Sequence, residues 1–222
     1  MSSLLEIDSV RKSFELNQVL TDIYLKCETG DILGILGRNG SGKSTLLKIL
    51  FGTLSADSKF IRIDGQISNN PYRIKDAISL LPQFNFLPKY LTVEKAAELH
   101  IGSSSLSVFL DDERLYPYRK NRISKLSGGE QRYLEVKLIL NINSKFVLLD
   151  EPFNGASPIQ IERIKKLIIS ASEHKGIILT DHDYRNMLDV ANRFCLIYDG
   201  GIKKVQNRED LIKWGYLPHT AN

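Results

Sequence analysis

The chain has 222 residues, 42% hydrophobic and 25% charged, with 30 basic and 26 acidic side chains and a formal net charge of +4. That composition is ordinary for a globular protein of a size that buries a core without disulfide or metal, and it excludes disordered, collagen-like and coiled-coil classes. No apolar run reaches the roughly 18–20 residues of a membrane-spanning helix, and the positive excess tolerates an anionic ligand but is too small and scattered to point to nucleic acid.

The first third reads as strands and turns. Leu4–Asp8 and Val19–Leu25 are short runs rich in branched and aromatic residues, and Gly30-Asp31 marks a turn. Ile32–Leu36 reads as a buried strand, followed by a glycine-rich loop and a helix over Ser44–Phe51 with Leu46, Leu47, Ile49 and Leu50 inward. Ile61–Ile67 predicts a strand and turn, and Ile78–Leu81 another strand. From about Asn85 to Leu140 helical periodicity takes over, as in Val93, Ala96, Ala97, Leu99 and His100, with Ser103-Ser104-Ser105 as a local break. Alternation then resumes: a strand over Phe146–Asp150, a helix over Pro158–Ser172 with Ile161, Ile164, Leu167 and Ile168 inward, a strand over Ile177–Thr180, a helix over Tyr184–Ala191, a strand over Phe194–Tyr198, and a turn at Asp199-Gly200-Gly201. Strands alternating with helices imply a largely parallel sheet covered on both faces.

Met1–Asp8 has no basic stretch before an apolar one, so no secretory signal is expected. Cys27 and Cys195 form no ligand or CxxC spacing, and Cys195, inside Phe194–Tyr198, reads as a buried free thiol. His100, His174 and His219 stand in no pattern, and no zinc site is expected.

Gly37-Arg38-Asn39-Gly40-Ser41-Gly42-Lys43-Ser44 fits G-x-x-x-x-G-K-[ST] in the required context, after a buried strand and opening a helix. Glycines let successive N–H groups curl towards one anion, and the helix N-terminus adds its partial positive charge. Lys43 can then reach β- and γ-phosphates and the Ser44 hydroxyl can coordinate Mg²⁺. The apolar run Phe146–Leu149 ends in Asp150-Glu151, which places two acids at the carboxyl end of a central strand, beside that loop. Asp150 is placed to hold Mg²⁺ through water, and Glu151 to polarise a water for attack on the γ-phosphorus. Leu126-Ser127-Gly128-Gly129-Glu130-Gln131 has the S-x-x-E spacing of a capping box. A cap does not account for two adjacent glycines, which weaken a helix. A bare helix start able to approach a phosphate closely does.

In order, GRNGSGKST, Gln83, LSGGEQR, FVLLDEP and TDH resemble the ATP-binding-cassette ATPases, over about Leu4–Trp214. The LSGG signature between the two Walker motifs separates that family from other P-loop proteins. The resemblance implies an α/β P-loop NTPase with a mostly parallel sheet core, an N-terminal antiparallel β subdomain and an inserted helical subdomain. One cassette would fill the chain, with residues 1–84 and 141–222 as ATP-binding core and 85–140 as helical subdomain. It further implies a head-to-tail homodimer in which MgATP lies between one chain's Gly37, Asn39, Gly40, Ser41, Gly42, Lys43, Ser44 and Thr45 and the other's Ser127, Gly128, Gly129 and Glu130.

By motif, Gln83 matches the glutamine that senses Mg²⁺ and γ-phosphate, and His182 the switch histidine that contacts the γ-phosphate. Phe14 stands at the place of the aromatic that stacks on adenine, the alternative being a core phenylalanine; Tyr24 is a second, weaker candidate. Pro152–Pro158 with Ile178–Asp183 looks most like bacterial ATPases of lipopolysaccharide export and branched-chain amino-acid import. Membrane subunits would be separate chains docking at Phe84–Tyr90, which implies a cytoplasmic subunit held at the inner face of the membrane, with no direct insertion. The competing class is a soluble, non-transport or regulatory cassette with slow turnover. Two departures stand out: Glu130 replaces the commoner glutamine of the signature, and Ser157 stands where the family usually has the aspartate that crosses the dimer interface.

Overall fold

The computed structural model describes residues 2–218; His219 lies outside the described residues. Two sheets share the chain. β1 (Leu4–Phe14), β2 (Asn17–Glu28), β4 (Ser58–Ile63) and β5 (Gln66–Ile67) form an antiparallel sheet in the order β2-β1-β4-β5. The central sheet has the order β10-β9-β3-β8-β7-β6, built from β3 (Ile32–Leu36), β6 (Ile78–Leu81), β7 (Phe146–Asp150), β8 (Gly176–Thr180), β9 (Arg193–Tyr198) and β10 (Gly201–Val205). Only the β9–β10 pair there is antiparallel.

β3, β7 and β8 are buried at every position, as their unbroken apolar runs require of strands covered on both faces. Their alternate faces feed two cores. Leu33, Ile35, Phe146, Leu148 and Ile178 pack towards the antiparallel sheet and α1 (Lys43–Phe51), while Leu36, Val147, Leu149, Ile177 and Leu179 face the helices on the other side. Parallel register sets β3, β7 and β8 side by side, so the loops leaving their carboxyl ends open at one rim.

Between β6 and β7 lie α2 (Val93–Ile101), α3 (Ser103–Leu110) and α4 (Gly128–Asn141) with short 3₁₀ turns and no strand of either sheet. The three serines expected to break the helical region instead open α3; the break is Gly102, which ends α2 and precedes α3 at φ 78°. Leu99, counted with the apolar positions, faces outward. After β7 come α5 (Pro158–Ser172), α6 (Tyr184–Leu188, shorter than expected) and α7 (Arg208–Lys213). β10 and α7 had no counterpart in the sequence reading.

Candidate functional site

α1 begins without a side-chain cap. Gly42 occupies its N-cap in the left-handed region at φ 100°, and a Cβ there would meet Val19 and Leu20 at 2.9 Å. The first helical N–H groups are therefore unclaimed and point into the loop. Lys43 is buried and folds over the same loop, donating from Nζ to Gly37 O at 2.6 Å and Arg38 O at 3.1 Å. Burial pulls its ammonium below the usual lysine range, against the pull of the Glu151, Asp150 and Asp181 carboxylates.

Opposite the loop, Asp150 Oδ1 accepts from Ser44 Oγ at 3.0 Å and from Thr180 Oγ1 at 2.8 Å. One oxygen thereby joins α1, β7 and β8. Burial pushes the Asp150 carboxyl up, offset by those two hydroxyls. Asp181, next to His182, is also buried and pushed up by burial; its Oδ1 accepts the Asp183 N–H at 2.9 Å, while its Oδ2 has no partner among the described residues. A carboxylate and a hydroxyl in contact at a phosphate loop are the hard oxygen donors Mg²⁺ takes.

Glu151 has φ 51°, a left-handed conformation that costs a non-glycine residue of order 1 kcal/mol or more. Its Oε2 lies 3.9 Å from His182 Nδ1, which is 3.5 Å from Asp181 Oδ1. Gln83, Glu151 and His182 line one open cavity of about 480 Å³ with Val19, Asn39, Gly40, Ser41, Gly42, Lys43, Ser44 and Thr45. Residues scattered from position 19 to 182 thus meet at the rim where β3, β7 and β8 end.

Residues 20–154 match the family described as ABC transporter. Over 214 residues the chain is 34% identical to the lipopolysaccharide export system ATP-binding protein LptB of Haemophilus influenzae, covering 90% of this chain and 89% of that one. The chain belongs to the ABC transporter family. It is an ATP-binding, ATP-hydrolysing subunit of that type. Its fold matches a solved ATP-binding subunit of an ABC transporter at TM-score 0.83 and 21% identity over 98% of this chain and 95% of the other. A dimeric cassette bound to ADP and Pi matches at TM-score 0.78 and 22% identity, over 91% and 99%.

In this ABC cassette Ser127, Gly128 and Gly129 take no part in the phosphate-loop cavity, and Glu130 lines a different one with Gln160 and Arg163. Ser127 and Glu130 do form a capping box, with Ser127 N–H donating to Glu130 Oε2 at 2.8 Å and Glu130 N–H to Ser127 Oγ at 3.3 Å. The two glycines have different reasons. Gly129 is buried against Gln160, which leaves no room for a Cβ, whereas nothing lies within 4 Å of a Cβ on exposed Gly128. Packing within one chain accounts for Gly129 alone.

Phe14 is 46% exposed near the β1–β2 turn, with Lys12 Nζ 4.9 Å from its ring centre, so it is no core phenylalanine; it does not line the phosphate-loop cavity. Tyr24 lines a separate cleft with Lys26 and Phe194. In the segment after Gln83, Phe84 and Tyr90 are 79% and 74% exposed, but Leu87 is in the core and Phe86 is half-buried with its ring edge-on to His100. Leu87 therefore cannot contribute to a docking face. Ser157 is exposed and starts α5 in a capping box with Gln160, with Pro158 at the first helical position.

Sequence reasoning missed Thr180 and Arg132. The Thr180 hydroxyl helps hold Asp150, and the Arg132 guanidinium spans the backbone carbonyls of Asp150 and Glu151 at 2.7 and 2.8 Å. Val19, also missed, forms the cavity wall beside the loop. Arg132 closes LSGGEQR, Thr180 opens TDH and Val19 stands in no motif; only the folded arrangement gives these side chains their contacts.

Proposed function

We propose that two copies of this chain pair head to tail, each completing the other's nucleotide site, and that closure on MgATP drives separate membrane subunits. The observation that carries this reading is Gly128: an exposed, unfilled glycine at a capped helix start, outside the cavity that the phosphate loop shares with Gln83, Glu151 and His182. A phosphate brought by a second chain would use that space.

Within each site the loop N–H groups that carry no partner, together with the first N–H groups of α1, cradle the phosphates, and Lys43 exchanges its two loop carbonyls for phosphate oxygens. Ser44, Asp150 and Gln83 would hold Mg²⁺, which when bound neutralises charge developing on the phosphates. Glu151 orients and deprotonates the attacking water, and His182, beside Glu151 in the same cavity, contacts the γ-phosphate. Ser127, Gly128, Gly129 and Glu130 of the second copy close the site from outside. Phe14 stacks on the adenine.

Exposed Phe84 and Tyr90, beside Gln83, offer the docking face for membrane subunits, which would keep the chain at the inner face of the membrane. The relatives' name makes subunits of lipopolysaccharide export the first partners to test. The composite site is tested by ATP turnover against chain concentration. Specific activity should rise to a plateau, and Gly128→Glu should lower the plateau about 10²-fold or more, the scale of losing a donor to the transition state. Its affinity for ATP by calorimetry should stay within about twofold. Undiminished turnover in Gly128→Glu would refute the arrangement.

A further inference from the structure

Arg132 and Glu135, one turn apart on α4, are 1% and 0% exposed and lie 3.5 Å from each other. Arg132 Nη1 donates to Pro82 O at 2.9 Å, immediately before Gln83. Glu135 Oε1 accepts the Phe86 and Leu87 N–H groups at 3.0 and 3.3 Å, just after it. The pair thus clamps both ends of the loop Gln83-Phe84-Asn85, whose first residue lines the nucleotide cavity and whose second is exposed. The other arm of the same guanidinium holds the carbonyls of Asp150 and Glu151, including the backbone of Glu151 in its strained conformation.

Such a pair is an expensive way to stabilise a core. Desolvation of two ions is recovered only when their geometry and hydrogen bonding are complete. Here Arg132 Nε and Glu135 Oε2 have no hydrogen-bond partner among the described residues, and burial pulls the guanidinium down and pushes the carboxyl up. Apolar side chains of similar volume would fill the space without that cost. What they could not do is hold the carbonyls of Pro82, Asp150 and Glu151 on one rigid fork while a carboxylate beside it holds the N–H groups of Phe86 and Leu87.

We propose that Arg132 and Glu135 are positioning residues forming a relay: movement of the Phe84 segment shifts Phe86 and Leu87, Glu135 carries that shift to Arg132, and Arg132 resets the backbone of Glu151. The relay rests on the reading that partners dock at Phe84. By linkage it runs both ways, so nucleotide at the site must alter the surroundings of residue 84.

The test needs no partner. Phe84→Cys places one reactive thiol on the surface, because Cys27 and Cys195 are buried and their thiols are pushed up to about 12 by burial. An environment-sensitive fluorophore on residue 84 should shift its emission when MgATP is added to the Glu151→Gln form. Adding Arg132→Lys, which keeps charge but loses the fork, or Glu135→Gln, which keeps an acceptor but loses charge, should abolish the shift. ATP affinity by calorimetry should remain within about twofold. With Glu151 restored and residue 84 unlabelled, each should lower kcat about tenfold or more with KM little changed. A shift that persists in both variants would show that Gln83 alone carries the signal and overturn the relay. So would a label that never responds while ATP binds normally. Failure of the parent chain to bind ATP would instead overturn the proposed function itself.

Discussion

Gly129 and Gln160 leave no space between them. A Cβ on Gly129 would lie 2.0 Å from Gln160 Oε1, the atom that also accepts the Ser157 N–H at 2.8 Å. The start of α4 and the start of α5 therefore meet at one side chain, Gln160. Gly129→Ala should displace Gln160 and open the box that starts α5, at a cost of about 0.5–2 kcal/mol. A chain of this size loses roughly 2–4 °C of Tm per kcal/mol. Gly128→Ala should leave Tm unchanged or slightly raised, because its Cβ meets nothing and alanine favours a helix. Thermal melts of the two variants without nucleotide separate these outcomes.

Asp150 is held in a place that suits function more than stability. Burial raises its folded pKa above the ordinary aspartate value, so the charged form is disfavoured and the ligand-free fold gains stability as pH falls through that raised value. Asp150→Asn removes the charge and keeps an oxygen for Ser44 and Thr180. It should raise the Tm of the ligand-free chain at pH 7 while abolishing Mg²⁺-dependent turnover. A lower Tm would show that the carboxylate stabilises the fold.

Ser157 stands at the N-cap of α5 with its backbone N–H held by Gln160 Oε1, a bond an aspartate would keep, so the departure from the family pattern leaves the local structure intact. Serine lacks the negative charge and second oxygen that an acid would present to an opposing phosphate loop. Ser157→Asp in the Glu151→Gln form should tighten the ATP-dependent pair by about 1 kcal/mol, the scale of one such bond. Dissociation measured by sedimentation with MgATP gives the answer; an unchanged or weaker pair would show that serine already makes the contact or that residue 157 lies away from the interface.

The proposed docking face and the core meet within three residues, exposed Phe84 and buried Leu87. Phe84→Asp should melt normally and bind ATP normally, yet fail to co-purify with membrane subunits from detergent extracts. Leu87→Asp should lower Tm sharply, because it buries a charge at a core position. Undiminished co-purification of Phe84→Asp would move the docking face elsewhere.

What the sequence made legible was the part fixed by local runs. The bounds of Ile32–Leu36, Ile78–Leu81, Phe146–Asp150 and Pro158–Ser172 coincide with their elements, since each is a short, mainly apolar run or a helix with a clear serine-proline start. Gly201–Val205 was missed because it is short, half-exposed and lysine-rich, and earns its place only by pairing with β9. Ser103–Leu110 was misread because serine is a weak helix former, and the flanking glycine already supplied the break. In the site, contiguous motifs showed themselves. Arg132 did not, because its role depends on carbonyls from two loops far apart in sequence. Leu87 looked like docking surface because an apolar run does not say which of its side chains turns inward.

The mass of the Glu151→Gln chain in solution, with and without MgATP, tests the central claim most directly. Hydrolysis should fall at least about 10²-fold, the low end for loss of a general base, while ATP still binds. The chain should then run at twice its own mass with MgATP and at its own mass without. Adding Gly128→Glu should return it to the single-chain mass. A Glu151→Gln chain that binds MgATP and stays single would contradict a site completed by a second copy.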